Sequence, residues 1–232
     1  MKSKADNWAV LRQHHVSRTI VKNGLNNGNQ LPNLPVSLVN NVFWENVYEP
    51  LNFNKIETDL HQAGWDGFEL FSKAVTKDRL LAYPNLGRQL HSGSHDYLAD
   101  MCAAPSDIAL VVIDYLNANA IHNHSINLLQ TFRKKLEPKG VTFAPVTVVQ
   151  NGNCAIGTSI AQLLRARYVL TFYGEKPFLH ANDNIAVQLK SVEGVNNEPL
   201  FMLNNINNVS TSYNSVATDL INAFLKAERI LG

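Results

Sequence analysis

Along residues 107–179, three apolar runs alternate with two segments of helical period. The runs are Ile108–Ile113, Phe143–Val149 and Tyr168–Phe172. The first is continuously apolar, as strands covered on both faces are. Between the first two runs, Ile121, Leu128, Leu129, Phe132 and Leu136 recur at spacings near 3.6 residues, which predicts a helix over 117–136. Asn117 is its expected N-cap, and Pro138 and Gly140 mark its stop. A second helix is predicted over Thr158–Arg167, with Ile160, Leu163 and Leu164 facing inward. Strand and helix in this order read as a parallel sheet with crossover helices. Such sheets bind ligands at the carboxyl ends of their strands, where Asp114 and the pair Gly174-Glu175 stand.

The flanks extend the pattern. Phe201–Ile206 reads as a fourth strand, and Val216, Leu220, Ile221, Phe224 and Leu225 form the stripe of a C-terminal helix. Upstream, Phe68–Val75 reads as a strand at the sheet edge, Pro84–Leu90 as a turn into a short helix, and Ser94–Met101 as a helix ended by Pro105. Residues 1–50 are rich in Asn, with a loop at 24–29 and helices expected from Asn7 to His14 and over Val36–Leu51. The expected architecture is α/β. It is a Rossmann-like three-layer domain with a mostly parallel sheet over 76–232, preceded over 1–75 by a helical or irregular accessory segment.

Composition narrows the function classes. The chain has 232 residues, 45% apolar and 17% charged, which suits a soluble globular protein. A net charge of +1 argues against a general binder of nucleic acid or anionic membrane. The densest basic run, Arg133-Lys134-Lys135, falls at a helix end, where cations favour the dipole. Two cysteines are too few for a disulfide framework at this size. The polar N-terminus shows no signal peptide, and no apolar stretch reaches the roughly 18 residues of a membrane span, so a reducing, cytoplasmic compartment is expected.

The candidate chemistry is sparse. Gly152–Ser159 has the spacing of a phosphate loop but lacks the lysine that grips distal phosphates, so nucleotide hydrolysis is not expected. An ordinary strand–turn–helix connection with Gly at positive φ explains it, and Cys154 lies inside. Asp114 can contact a ligand or cap the following helix, and Glu175 can accept a hydrogen bond or be solvated. His122 and His124 diverge on their helix, whereas His91 and His95 can face together without a third ligand; surface histidines are expected, and no metal site. No catalytic set is expected.

Taken together, these residues resemble the small subunit of ethanolamine ammonia-lyase. Trp8-Ala9-Val10-Leu11-Arg12 and Ser17-Arg18-Thr19-Ile20 look like that family's opening. Pro84-Asn85-Leu86-Gly87-Arg88-Gln89-Leu90 is similar to its Pro-Asp-Leu-Gly-Arg-Arg-Leu. Asp114-Tyr115-Leu116-Asn117 parallels Asp-Gly-Leu-Ser, and Gly174-Glu175-Lys176-Pro177 parallels Gly-Glu-Arg-Pro. The resemblance implies a heteromeric carbon–nitrogen lyase whose large barrel subunit carries substrate and catalytic residues. The small subunit would hold adenosylcobalamin against that barrel while an adenosyl radical abstracts hydrogen from ethanolamine, giving acetaldehyde and ammonia. A bacterial microcompartment is the associated location. Family cobalamin contacts map onto Cys154, which matches a Val, onto Glu175, which is identical, and onto Met202, which matches a Cys. The segment 186–204 departs furthest from the family. The alternatives are a diverged, non-catalytic binding module of the same fold and a nucleotide-using enzyme built on Gly152–Ser159.

Overall fold

A computed structural model describes residues 43–177, 183–193, 198–207 and 211–231. The helix expected over 7–14, the loop at 24–29 and the first part of the helix expected over 36–51 lie outside them. Residues 43–48 are helical. Six further α-helices, three 3-10 turns and six strands follow among the described residues; the α-helices and strands are α1 Phe53–Gln62, β1 Gly67–Phe71, α2 Lys77–Ala82, α3 Ser92–Asp100, β2 Ser106–Ile113, α4 Ala118–Leu136, β3 Val146–Gln150, α5 Gly157–Leu163, β4 Ala166–Gly174, β5 Ile185–Ser191, β6 Phe201–Ile206 and α6 Tyr213–Leu231.

One sheet joins all six strands in the order β1-β3-β2-β4-β5-β6. The first four run parallel, but β5 is antiparallel to β4 and β6 to β5. The sheet is therefore mixed, which corrects the expectation of a mostly parallel one. The reason is connection length. A parallel neighbour needs a crossover of a dozen or more residues, and stretches 175–184 and 192–200 are too short for that. The strand expected at 68–75 is β1, at the sheet edge.

Side chains alternate between two covered faces. On one, Ile108, Leu110 and Val112 of β2 and Tyr168, Leu170 and Phe172 of β4 pack with α1, α4 and α6. On the other, Ala109, Val111 and Ile113 of β2 and Val169 and Tyr173 of β4 pack with α3 and α5. The continuous apolar runs thus serve two cores at once. From β5 only Ala186 joins the second core, and from β6 nothing does.

Local chemistry sets the helix ends. Asn117 caps α4, its Oδ1 accepting from the Ala120 N–H at 3.0 Å, and Gly140 takes φ 80° just beyond the closing turn. The basic run at that end is more than a solvated tip. Arg133 donates to the Gly64 carbonyl at 2.7 Å, and its guanidinium lies 4.4 Å from the centre of the Trp65 ring. Ile160 in α5 and Leu164, the residue just past its end, are fully buried, whereas Leu163 is half-exposed and only borders the core. Leu163 was expected to face inward. The helix stops at that residue and the chain turns through Arg165, at φ 55°, into β4.

Candidate functional site

The carboxyl ends of β2 and β3 are locked by a buried polar knot. Asp114, 3% exposed, accepts from Lys77 Nζ at 2.8 Å and from the Asn151 N–H at 2.7 Å. Lys77 also donates to the Tyr115 carbonyl. Ser72 Oγ donates to the Asn151 carbonyl at 2.6 Å, and Asn151 Nδ2 donates to the Val75 carbonyl at 2.9 Å. Three non-glycine residues here, Val75, Tyr115 and Asn151, take φ of 57°, 38° and 53°. Each such conformation costs about 1–3 kcal/mol and persists only where its surroundings over-determine it. Asp114 was expected as a ligand contact or a helix cap. Asn117 is the cap instead, and the Asp114 carboxylate is consumed by Lys77 and Asn151.

The Gly152–Ser159 loop is a packing device. A Cβ on Gly152 would lie 2.9 Å from both Ile113 Cγ2 and Val149 Cγ1, and one on Gly157 would lie 2.6 Å from Thr171 Oγ1. The positive φ belongs to Asn151 rather than to a glycine, which corrects the expected conformational role. Asn153 Oδ1 accepts from the Ala155 N–H, so one of the loop's backbone donors is already satisfied from within the loop. Cys154 is half-buried, and its Sγ donates to Asn153 Oδ1 at 3.6 Å. Burial pushes its thiol pKa up against the opposing pull of Lys190 and Arg88, so it stays a protonated thiol rather than a nucleophile.

At the next strand end, Gly174 is required by close approach: a Cβ there would collide with the Asn117 carbonyl. Glu175 follows. Its N–H donates to the Asn184 carbonyl at 2.9 Å, and its Oε2 accepts from the Asn205 N–H at 2.7 Å. Oε1 has no partner among the described residues. Burial raises the Glu175 pKa, and the Asn205 N–H opposes that rise. An amide chain flanks it: Asn184 Nδ2 donates to Asn205 Oδ1, and Asn207 Nδ2 donates to Asn184 Oδ1. Asn205 takes φ 58°, at the end of β6 where the β5–β6 register shifts. Met202 is 46% exposed beside Gln188, which is opposite Thr171 on the α5 side of the sheet. Cys154 and Met202 therefore share one sheet side, with Glu175 at the strand end between them.

Two features escaped the sequence reading. His124 is buried, with Nδ1 2.6 Å from the Tyr213 hydroxyl and Nε2 2.8 Å from Asp183 Oδ1; it is not a surface histidine. It ties α4 to the start of α6 and to the approach to β5. His91 caps α3 through Nδ1, and His95 meets Asp96 on the surface. Among the described residues, no group of three or more His, Cys, Asp or Glu is placed to hold a metal ion. The second omission is β5, whose signal was readable: Ile185, Val187 and Leu189 alternate with Ala186, Gln188 and Lys190.

Comparison with known proteins places this geometry in a lineage. A family profile described as ethanolamine ammonia-lyase light chain (EutC) matches residues 5–230. The chain is 34% identical over 144 residues to the ethanolamine ammonia-lyase small subunit of Ralstonia nicotianae, covering 61% of this chain and 53% of that one. It is 34% identical over 135 residues to the small subunit of Pseudomonas syringae pv. tomato, covering 57% and 47%. Over 144 residues it is 32% identical to that of Pseudomonas putida, covering 61% and 53%. The chain spans about half the length of the curated relatives it matches. Among the described residues, no helix is long and apolar enough to cross a membrane.

Proposed function

The chain belongs to the ethanolamine ammonia-lyase light chain family, and from that premise we propose that it is the small subunit of an adenosylcobalamin-dependent ethanolamine ammonia-lyase. In this reading it works as a hetero-oligomer with the large subunit, and neither nucleic acid nor membrane is a partner. No residue of this chain is assigned a catalytic or metal-binding role. When bound, adenosylcobalamin supplies the radical chemistry that converts ethanolamine to acetaldehyde and ammonia. We take the parallel half of the sheet as a Rossmann-like platform whose carboxyl edge faces the cofactor.

The observation that carries the reading is the state of Glu175. One carboxylate oxygen is held by the Asn205 N–H and the other has no described partner, in half-buried surroundings. A desolvated acceptor with a spare oxygen fits the amide N–H groups on the rim of a corrin ring. Met202 presents an exposed thioether, an adaptable apolar contact for a bulky ring. Cys154, kept protonated by burial, contributes small apolar surface rather than reactivity. The chain's own task is then to bind, orient and exclude water.

The test is reconstitution. The full chain is co-expressed with a large subunit, and cobalamin retention and lyase turnover are measured. A complex that forms and binds cofactor supports the reading. A complex that never forms, or forms and stays empty, overturns it. The departures at Cys154 and Met202 favour one second reading, a diverged module that keeps the fold for another partner, and normal turnover would exclude that.

A further inference from the structure

On the α5 side of the sheet, two tyrosines meet where β2 and β4 end. Tyr173, on β4, is 8% exposed. Tyr115 follows β2 in the left-handed region at φ 38°, where bulky side chains are outliers. Their rings lie edge to face, with centroids 6.3 Å apart and planes at 78°. Tyr115 and Cys154 pack against the same buried cluster that contains Tyr173. The strained backbone at Tyr115 is held by Lys77, which donates to its carbonyl and to Asp114. The fold therefore maintains an unfavourable conformation that aims this ring at Tyr173.

Buried phenols ordinarily find a hydrogen-bond partner. Here neither hydroxyl has one among the described residues. Neither oxygen is among the fully enclosed polar atoms that lack partners, so both can be approached from outside. Two unbonded donors on a shared apolar base, beside Cys154 and at the strand ends preceding Glu175, form a surface awaiting a neutral acceptor.

We propose that Tyr115 and Tyr173 are cofactor-contact residues, whose hydroxyls donate to carbonyl oxygens of the amide side groups on a corrin ring and whose paired rings carry its apolar edge. This rests on the cobalamin reading above and deepens it. Burial pushes both phenol pKa values up, against the pull of Arg88 at Tyr115, so both remain O–H donors at neutral pH. An acceptor with no net charge suits them, because no described cation bonds either oxygen.

The experiment uses the full chain co-purified with its large subunit and hydroxocobalamin as the probe, with affinity read by equilibrium dialysis. Tyr115→Phe and Tyr173→Phe keep the rings and remove only the hydroxyls. Each should weaken binding roughly threefold to tenfold, and the double variant more. Tyr97→Phe, an exposed phenol on α3, should leave affinity unchanged. Affinities for both variants within about twofold of wild type would overturn the proposal, given that one bond's loss exceeds that. If the wild-type complex binds no hydroxocobalamin, the underlying reading falls and this one falls with it. If Glu175→Gln weakens binding and the tyrosine variants do not, only the phenol pair is refuted.

Discussion

The two halves of the sheet are built differently. In the parallel half, every residue of β2 from Ile108 to Ile113 is fully buried, with helices against both faces. In the antiparallel half, Ile185, Val187 and Leu189 are buried in the core that includes α4 and α6, while Met202 stands 46% exposed on the other side. Crossover connections deliver a helix to each face, and short antiparallel returns do not. Ala186 and Gln188 stay buried on that other side, but among the described residues no helix covers it at Met202, and such a place can receive a ligand or a partner. The positions proposed to hold cofactor follow that difference. Cys154 lies on the covered half, Glu175 at the junction, and Met202 on the open half.

The comparison breaks most visibly at the knot that closes the parallel half. Lys77→Met leaves the Asp114 carboxylate buried without its cation and should cost about 3–5 kcal/mol in urea unfolding of the full chain. A loss under about 1 kcal/mol would mean that water reaches Asp114 and that this end is not closed. Leu164→Ala, at a fully buried site, should cost about 2–5 kcal/mol, and Leu163→Ala, one residue earlier, clearly less. Equal losses would mean that Leu163, at the end of α5, is packed as tightly as the residue that follows it. In the open half, Met202→Ala should cost under about 1 kcal/mol, since its side chain already meets solvent. A core-sized loss there would show that the antiparallel half is covered after all.

This contrast also explains what could be read from the chain alone. The parallel half was legible because continuous apolar runs, the Asn117 cap and the stripe on α4 agree with one another. The strand at Phe201–Ile206 was visible too. The mixed sheet was not, because β5 lies in the segment that departs furthest from the family, and the reading followed crossover logic past it. Its period-two alternation was available as a signal. Glu175 was reached through motif and position at a strand end, but its bond to Asn205 joins residues thirty apart and has no local signature. The same holds for Lys77 with Asp114, and for His124 with Asp183 and Tyr213. Tyr115 is a different case. It stands where the resembling motif has Gly, and the structure keeps the left-handed backbone that glycine favours. Sequence marked the position, while the aim of the ring needed coordinates.

The smallest expected effect tests whether the covered side of the parallel half is dry where α4 meets the start of α1. His122 Nε2 accepts from the Asn52 N–H at 3.1 Å, which requires a neutral ring. Burial lowers its pKa, Lys55 lowers it further, and Asp59 and Glu49 oppose. A base whose folded pKa is depressed binds its proton more readily when unfolded. Its contribution is therefore present above the unfolded value near 6.5 and is lost as pH falls through the folded one. His122→Gln keeps an acceptor at this position but cannot titrate. Urea midpoints of wild type and variant, compared at about pH 7.5 and about pH 5, should shift in the variant's favour at the acid end. Parallel pH dependences for the two proteins would mean that the imidazole is hydrated, and that the helix-covered side admits water at this corner.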